Sequence, residues 1–181
     1  MAYTIILDAG HGGYDNGASF ENRLEKDDNL ALTLAIGEIL SSYGFSVLYT
    51  RADDVYESPF RKATEANEAG ADIFISIHRN SSVIPNIYNG VESLVYSAEG
   101  LPALLAENIN GQLERLGFQN LGIKERPNLI VLNSTSMPAV LVEVGFINSE
   151  RDNTIFDSRF NEVAYAIADG IAMTIYPQNY S

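Results

Sequence analysis

The chain contains no cysteine. It has no disulfide framework, and no thiolate can act as nucleophile or metal ligand. Histidine is nearly as scarce, with His11 and His78 the only two. Any bound metal must therefore be held by these imidazoles and by carboxylates. Basic residues are few: 11 Lys and Arg stand against 24 Asp and Glu, for a net charge of −13. A nucleic-acid binder needs a basic surface to displace counterions, so the composition argues against that class. The same acidity opposes unaided adhesion to anionic membranes or wall polymers. No apolar run is long enough to cross a bilayer. The N-terminus, Met-Ala-Tyr-Thr-Ile-Ile-Leu-Asp, lacks a basic segment followed by a long apolar stretch. It is expected to enter a strand at once, with no signal peptide.

What is present reads as one globular domain. The 181 residues are 46% apolar and 19% charged, ample for a hydrophobic core. There are no repeats and no internal linker. Strands are expected at Thr4 to Leu7, Phe45 to Tyr49, Ile73 to Ile77, Gly90 to Ser97, Leu129 to Leu132 and Pro138 to Val144. Helices are expected at Asp27 to Tyr43, with Gly44 as a C-cap signal, and at Pro59 to Ala69, opened by Pro and closed by Gly70. Two more are expected at Leu101 to Leu116 and Phe160 to Ile175. Strands and helices alternate, so the fold class is α/β with a largely parallel sheet covered on both faces. The domain should span residues 1–176, with 177–181 a tail or the start of a linker.

The segment Asp8-Ala-Gly-His-Gly-Gly-Tyr-Asp-Asn-Gly-Ala18 follows an apolar strand. Its glycines let the backbone turn tightly and bring the His11 imidazole to an open edge. In α/β sheets, sites gather beyond the carboxyl ends of strands. A phosphate loop fits poorly, because the Gly-x-Gly-x-x-Gly spacing and a Walker lysine are both absent. His78 likewise ends an apolar strand, Ile73-Phe-Ile-Ser-Ile, and leads into Arg79-Asn-Ser. Both histidines of the chain thus fall at equivalent strand ends, which points to a shared site. Two imidazoles need a third ligand for a catalytic zinc site, with one position left for water. The carboxylates near strand ends are Asp8, Asp15, Glu21, Glu25 and Glu143. Physics alone does not choose between Glu21 and Glu25, since an acidic residue also favours the positive end of a helix. Glu143 interrupts the apolar run Pro138-Ala-Val-Leu-Val-Glu-Val-Gly-Phe146. A carboxylate there is costly unless it is paired, close to a metal, or an acid/base group with a raised pKa.

In these motifs the chain resembles the zinc-dependent N-acetylmuramoyl-L-alanine amidases of bacterial autolysins, sporulation hydrolases and phage endolysins. Asp8-Ala-Gly-His-Gly-Gly is similar to the family's first zinc motif, Glu25-Lys26 at a helix start to the second, and Ser76-Ile-His-Arg-Asn-Ser81 to the third. Pro138 to Asn148, followed by Asp152, resembles the closing catalytic motif. The one departure is Ala9, where the family usually has Pro. The resemblance assigns one Zn2+ to His11, Glu25 and His78, and proton transfer to Glu143. It implies a mixed, mostly parallel twisted sheet of about six strands with helices on both faces. Some relatives carry a helical plug over the site; the stretch from Arg79 to Gly90 is too short for one, so an open groove is expected. The implied partner is peptidoglycan, cleaved between N-acetylmuramic acid and L-alanine, with a separate wall-binding domain supplying the tether and no role for nucleic acid or membrane. The expected place of action is the cell wall, and the leaderless start favours an endolysin. Asn80 and Arg126 are further candidates to face the substrate. The rival readings are a zinc carboxypeptidase or peptidase and an inactive wall-binding module; the full His/Glu/His plus Glu set argues against the second. No Gly-x-Ser-x-Gly elbow supports serine hydrolysis.

Overall fold

The computed structural model describes residues 3–179. Met1 and Ala2 of the expected N-terminal start, and Tyr180 and Ser181 of the expected tail, lie outside the described residues. In chain order the elements are β1 (Thr4–Ala9), β2 (Ser19–Phe20), β3 (Arg23–Leu24), α1 (Glu25–Ser42), β4 (Ser46–Tyr49), α2 (Pro59–Glu68), β5 (Ile73–Asn80), β6 (Val91–Val95), α3 (Gly100–Arg115), β7 (Asn120–Glu125), α4 (Ile130–Asn133), β8 (Ala139–Phe146), α5 (Glu150–Ser158) and α6 (Phe160–Ile175). A short 3-10 turn follows at Pro177–Asn179. Six strands form one sheet in the order β4-β1-β5-β8-β6-β7. Every neighbouring pair is parallel except β6 and β8, which run antiparallel. The expected class, a mixed and mostly parallel α/β sheet covered on both faces, is the one observed. Among the described residues no helix is long and apolar enough to cross a membrane.

Alternation along the strands explains both faces. Ile5, Leu7, Ile73, Ile75, Ile77, Val140, Val142 and Val144 point to one side and pack with Leu32, Ile36 and Leu40 of α1, Leu105 and Ile109 of α3, and Ile167 and Ile171 of α6. Ile6, Phe74, Leu94, Ala139 and Leu141 point to the other and pack with Ala66 of α2 and Val131 and Leu132 of α4. Burial of this many aliphatic side chains, each stabilising by about 1.5–3 kcal/mol, is the main force holding the sheet. On the second face the same period of two runs out of apolar residues at the carboxyl ends of the strands. Ile6 is followed by Asp8, Phe74 by Ser76 and His78, and Leu141 by Glu143. The sequence therefore switches from core to chemistry along one face.

Asp8 anchors this transition. It is 1% exposed, and its carboxylate accepts hydrogen bonds from Thr50 Oγ1 at 2.7 Å and Ser76 Oγ at 2.5 Å. Lys62 Nζ lies 2.7 Å from Asp8 Oδ1 and also donates to the Ala9 carbonyl at 2.8 Å. Burial opposes ionisation of Asp8, but the charge and hydrogen bond of Lys62 prevail and hold its pKa below the usual carboxylate value. Lys62→Met should destabilise the protein by about 3–5 kcal/mol, because it leaves a buried carboxylate without its cation. Urea unfolding at neutral pH measures this. A loss below about 1 kcal/mol would mean that the pair contributes no more than a surface ion pair.

Besides the two-residue strands β2 and β3, three elements differ from the sequence reading. Leu129 to Leu132 forms no strand; residues Ile130–Asn133 make a helical turn closed by Asn133 N to Leu129 O and Ser134 N to Ile130 O bonds. A run of four apolar residues carries no period that separates strand from helix. β7 is an edge strand, interrupted by Gly122 and with polar residues at Asn120, Lys124 and Glu125. α5 is nearly all polar and is capped by Ser149, whose Oγ accepts from Asp152 N at 3.3 Å.

Candidate metal and catalytic centre

β1 delivers the first imidazole. Beyond Ala9 the chain turns sharply, and His11 takes a left-handed conformation with φ of 61°. That region disfavours a side chain, and such strain clusters at functional sites. The strand β5 delivers His78, and its ring lies directly over Gly10. A Cβ on Gly10 would come within 2.3 Å of His78 Cε1, so only glycine lets the chain leaving β1 pass beneath the ring. The ladder between β5 and β8 shifts register between His78 and Asn80. A bulge of this kind commonly re-aims side chains beside a site.

α1 delivers the carboxylate. The hairpin β2–β3 carries Glu21 away at its turn, where Glu21 has φ of 53° and is exposed. Two residues after Arg23, Glu25 opens the helix, earlier than the expected start at Asp27. Glu25 is 4% exposed. Its Oε2 accepts from Ala18 N at 2.8 Å, and its Oε1 from Arg79 N at 3.1 Å and Asn29 Nδ2 at 3.2 Å. Both imidazoles converge on it, His11 Nε2 at 3.2 Å from Oε2 and His78 Nδ1 at 3.0 Å from Oε1. The two rings lie 4.9 Å apart, nearly edge to face. One ligand atom from each of His11, Glu25 and His78 falls within 4.8 Å of the others. Two neutral nitrogens and one carboxylate oxygen at such separations suit a four-coordinate divalent cation with one open position. The donor set therefore fits a metal.

Electrostatics agree with that reading. Burial disfavours the Glu25 carboxylate, yet hydrogen bonds and charge from His11 and His78 drive its pKa well below the ordinary value. Burial likewise opposes a charged His11, and the Glu25 and Asp15 carboxylates overcome it, raising the pKa to about 9. Without a cation, a proton thus takes the role of the positive charge between these groups. Asp15 Oδ2 lies 2.9 Å from His11 Nδ1, leaving Nε2 for the centre. The sequence reading placed Asp15 only among the nearby carboxylates. The usable signal was that a ligating histidine needs a partner for its other nitrogen, here four residues on. Asp15→Asn should weaken divalent-metal affinity by about 10–100-fold. Competition with a chromogenic chelator reads the change, and an unaltered affinity would remove Asp15 from the site.

Glu143 stands beside the cluster. It is the register partner of His78 on one side and of Glu92 on the other. Its Oε2 is buried with no hydrogen-bond partner among the described residues. Burial pushes its pKa up to about 7, Glu25 and Glu92 adding to the rise and His78 opposing it. Among the described residues no arginine is bonded to it. Arg51 instead donates to the carbonyls of Ala9, Gly10, Lys26 and Asp53. Asn80 Nδ2 donates to Glu92 Oε1 at 2.8 Å, and Lys124 pairs with Glu92. Arg126 is bonded to the Glu125 carbonyl and takes no part in the cluster. Asp152 is buried away from it, its Oδ2 accepting from Gly90 N and Phe146 N at 2.8 Å each.

A cleft of about 320 Å³ opens over the centre, lined by His11, Asp15, His78, Lys62, Pro59 and Leu129 among others. Residues 81–90 contain no helix that could plug it.

A family model described as N-acetylmuramoyl-L-alanine amidase matches residues 5–173. The chain is 36% identical to the endolysin of Bacillus phage SPP1, over 95% of this chain and 66% of that protein. It is 32% identical to the probable cell wall amidase LytH of Staphylococcus aureus, over 93% of this chain and 57% of that protein. The chain thus spans between about half and two thirds of these relatives' lengths. Among solved structures it is similar to the catalytic domain of CwlV, an N-acetylmuramoyl-L-alanine amidase from Bacillus (Paenibacillus) polymyxa var. colistinus. There the TM-score is 0.87 at 34% identity, covering 96% of this chain and 98% of that one.

Proposed function

This chain belongs to the N-acetylmuramoyl-L-alanine amidase family, and from that premise we propose that it hydrolyses the amide between N-acetylmuramic acid and L-alanine in peptidoglycan, using one zinc ion held by His11, Glu25 and His78. The observation that carries the proposal is the convergence of these three side chains, with the unpartnered Glu143 oxygen beside them. When bound, zinc supplies Lewis acidity, activating water at neutral pH and stabilising charge that develops on the amide oxygen. The protein's own residues do the rest. Glu143 takes the proton from the attacking water and hands it to the departing alanine nitrogen, which leaves as a neutral amine. Burial of the Glu143 carboxyl raises its pKa in the metal-free chain, which suits a group that must both accept and return a proton. Asp15 fixes the His11 ring, and Arg79 N, Ala18 N and Asn29 fix Glu25, so the site is assembled before substrate arrives. The cleft over the centre gives a polymeric substrate direct access.

The test is digestion of purified peptidoglycan, with the new termini identified and zinc measured on the same sample. Release of free L-alanine amino termini, lost on zinc chelation and restored by zinc, is expected. New termini inside the stem peptide would instead make the chain a peptidase. Wall binding with no new termini would make it a binding module.

A further inference from the structure

An aromatic pair, each ring one residue from a carboxylate that lines the cleft, takes no part in this chemistry. Tyr14 is 80% exposed and Tyr56 37% exposed. Their rings stack with centroids 4.3 Å apart and planes 29° apart. The loops beneath are fastened to one another. Lys26 Nζ donates to the Gly13 carbonyl and to Asp54 Oδ2 at 2.8 Å each, and Asp54 Oδ1 accepts from Gly13 N at 2.8 Å. Lys26 is itself buried on α1, one residue from Glu25. The pair is thus tied through α1 to the metal cluster. Tyr14 adjoins Asp15, the partner of His11, and Tyr56 adjoins Glu57; both acidic residues line the cleft.

We propose that Tyr14 and Tyr56 form a stacking platform for a sugar ring of the glycan strand next to the bond that is cleaved. This deepens the amidase reading and rests on it. A pyranose presents a face of C–H groups that packs on an aromatic ring, which offers a large apolar surface with few rotatable bonds. Its hydroxyls need acceptors, and Asp15 and Glu57, which line the cleft, supply carboxylate oxygens there. The chain's net charge of −13 disfavours an anionic occupant such as the carboxylate-bearing end of a stem peptide. Apolar ring and surrounding acceptors together select a neutral, hydroxyl-rich ligand.

The probe is the neutral tetramer of N-acetylglucosamine, which lacks the scissile amide. The chain has no tryptophan, so Tyr14→Trp places a single indole on the platform. Its emission should change and saturate as tetramer is added. By ligand-observed NMR, Tyr14→Ala and Tyr56→Ala should each weaken tetramer binding about three- to tenfold, while Tyr14→Phe stays within about twofold of the parent. On peptidoglycan, Tyr14→Ala should raise KM by a similar factor and leave kcat unchanged, the mark of binding energy expressed equally in ground and transition states. Unchanged indole emission, or equal tetramer binding by Tyr14→Ala and the parent, would overturn the platform. The binding arm involves no hydrolysis, so the two readings fail separately. A chain that holds the tetramer through Tyr14 but releases no L-alanine termini loses only the amidase reading. One that releases them with an unaltered KM in Tyr14→Ala loses only the platform.

Discussion

Glu143→Gln is expected to lower kcat on peptidoglycan by roughly 10²–10⁴-fold, while zinc content and fold stay unchanged. Glutamine keeps the volume and polarity of the side chain but cannot accept a proton. The substitution therefore separates proton transfer from metal binding, since Glu143 is not among the side chains whose ligand atoms cluster. Steady-state kinetics with metal analysis on the same preparation decide the matter. A variant with near-native kcat would remove Glu143 from proton transfer and leave the metal site intact.

The same substitution should act on stability with the opposite sign. Burial raises the Glu143 pKa from its ordinary value to about 7 in the folded metal-free chain. Between the unfolded and folded pKa values the native state therefore binds more protons than the unfolded state, and stability falls as pH rises through that window. Above pH 7 the full cost of burying the charge is present; below the unfolded pKa it vanishes. Glu143→Gln should thus stabilise the metal-free protein by ~1–3 kcal/mol at pH 8 and by nearly nothing at pH 4. A catalytic group held at the expense of stability is a common trade at active sites. Equal unfolding midpoints for parent and variant at pH 8 would show that Glu143 is not desolvated in the way its position implies.

How far the sequence disclosed this arrangement depended on the signal each residue left. His11 and His78 were legible because each ends an apolar run and no other histidine competes. Glu143 was legible because a carboxylate within Ala139–Phe146 has no apolar reason to be there. Glu25 was not separable from Glu21 by residue type. What distinguishes them is three-dimensional: the β2–β3 hairpin turns Glu21 outward, while the start of α1 points Glu25 back at Ala18 N and Arg79 N. The resemblance to a family had to supply that choice. Asp8 was legible only as a nearby carboxylate. Its pairing with Lys62 crosses 54 positions of the chain and leaves no periodic trace. Leu129 to Leu132 failed for the reverse reason, since a short apolar run buried under a sheet looks alike in either conformation. The strands β1, β5 and β8 were the easiest to read. Their aliphatic residues face covered layers on both sides, which gives continuous apolar runs.

His78→Ala carries the largest expected loss of all, because it should remove metal and activity together. The imidazole supplies one of only three ligands, and no cysteine or further histidine exists to replace it. Removing it also leaves Glu25 Oε1 without its 3.0 Å partner and opens space over Gly10. Purified with equimolar zinc, the parent should retain about one ion per chain and the variant nearly none. A thermal experiment distinguishes this from simple misfolding. A metal that binds only the folded chain stabilises it by about 4 kcal/mol when its concentration is a thousandfold above Kd. Chelation should therefore lower the Tm of the parent and leave the Tm of His78→Ala where it was. The variant should then resemble the chelated parent in both Tm and circular dichroism. A zinc-free His78→Ala protein that still released L-alanine termini would end the metal-dependent mechanism outright. A variant that bound zinc as the parent does would show that the convergence of His11, Glu25 and His78 serves some purpose other than holding an ion.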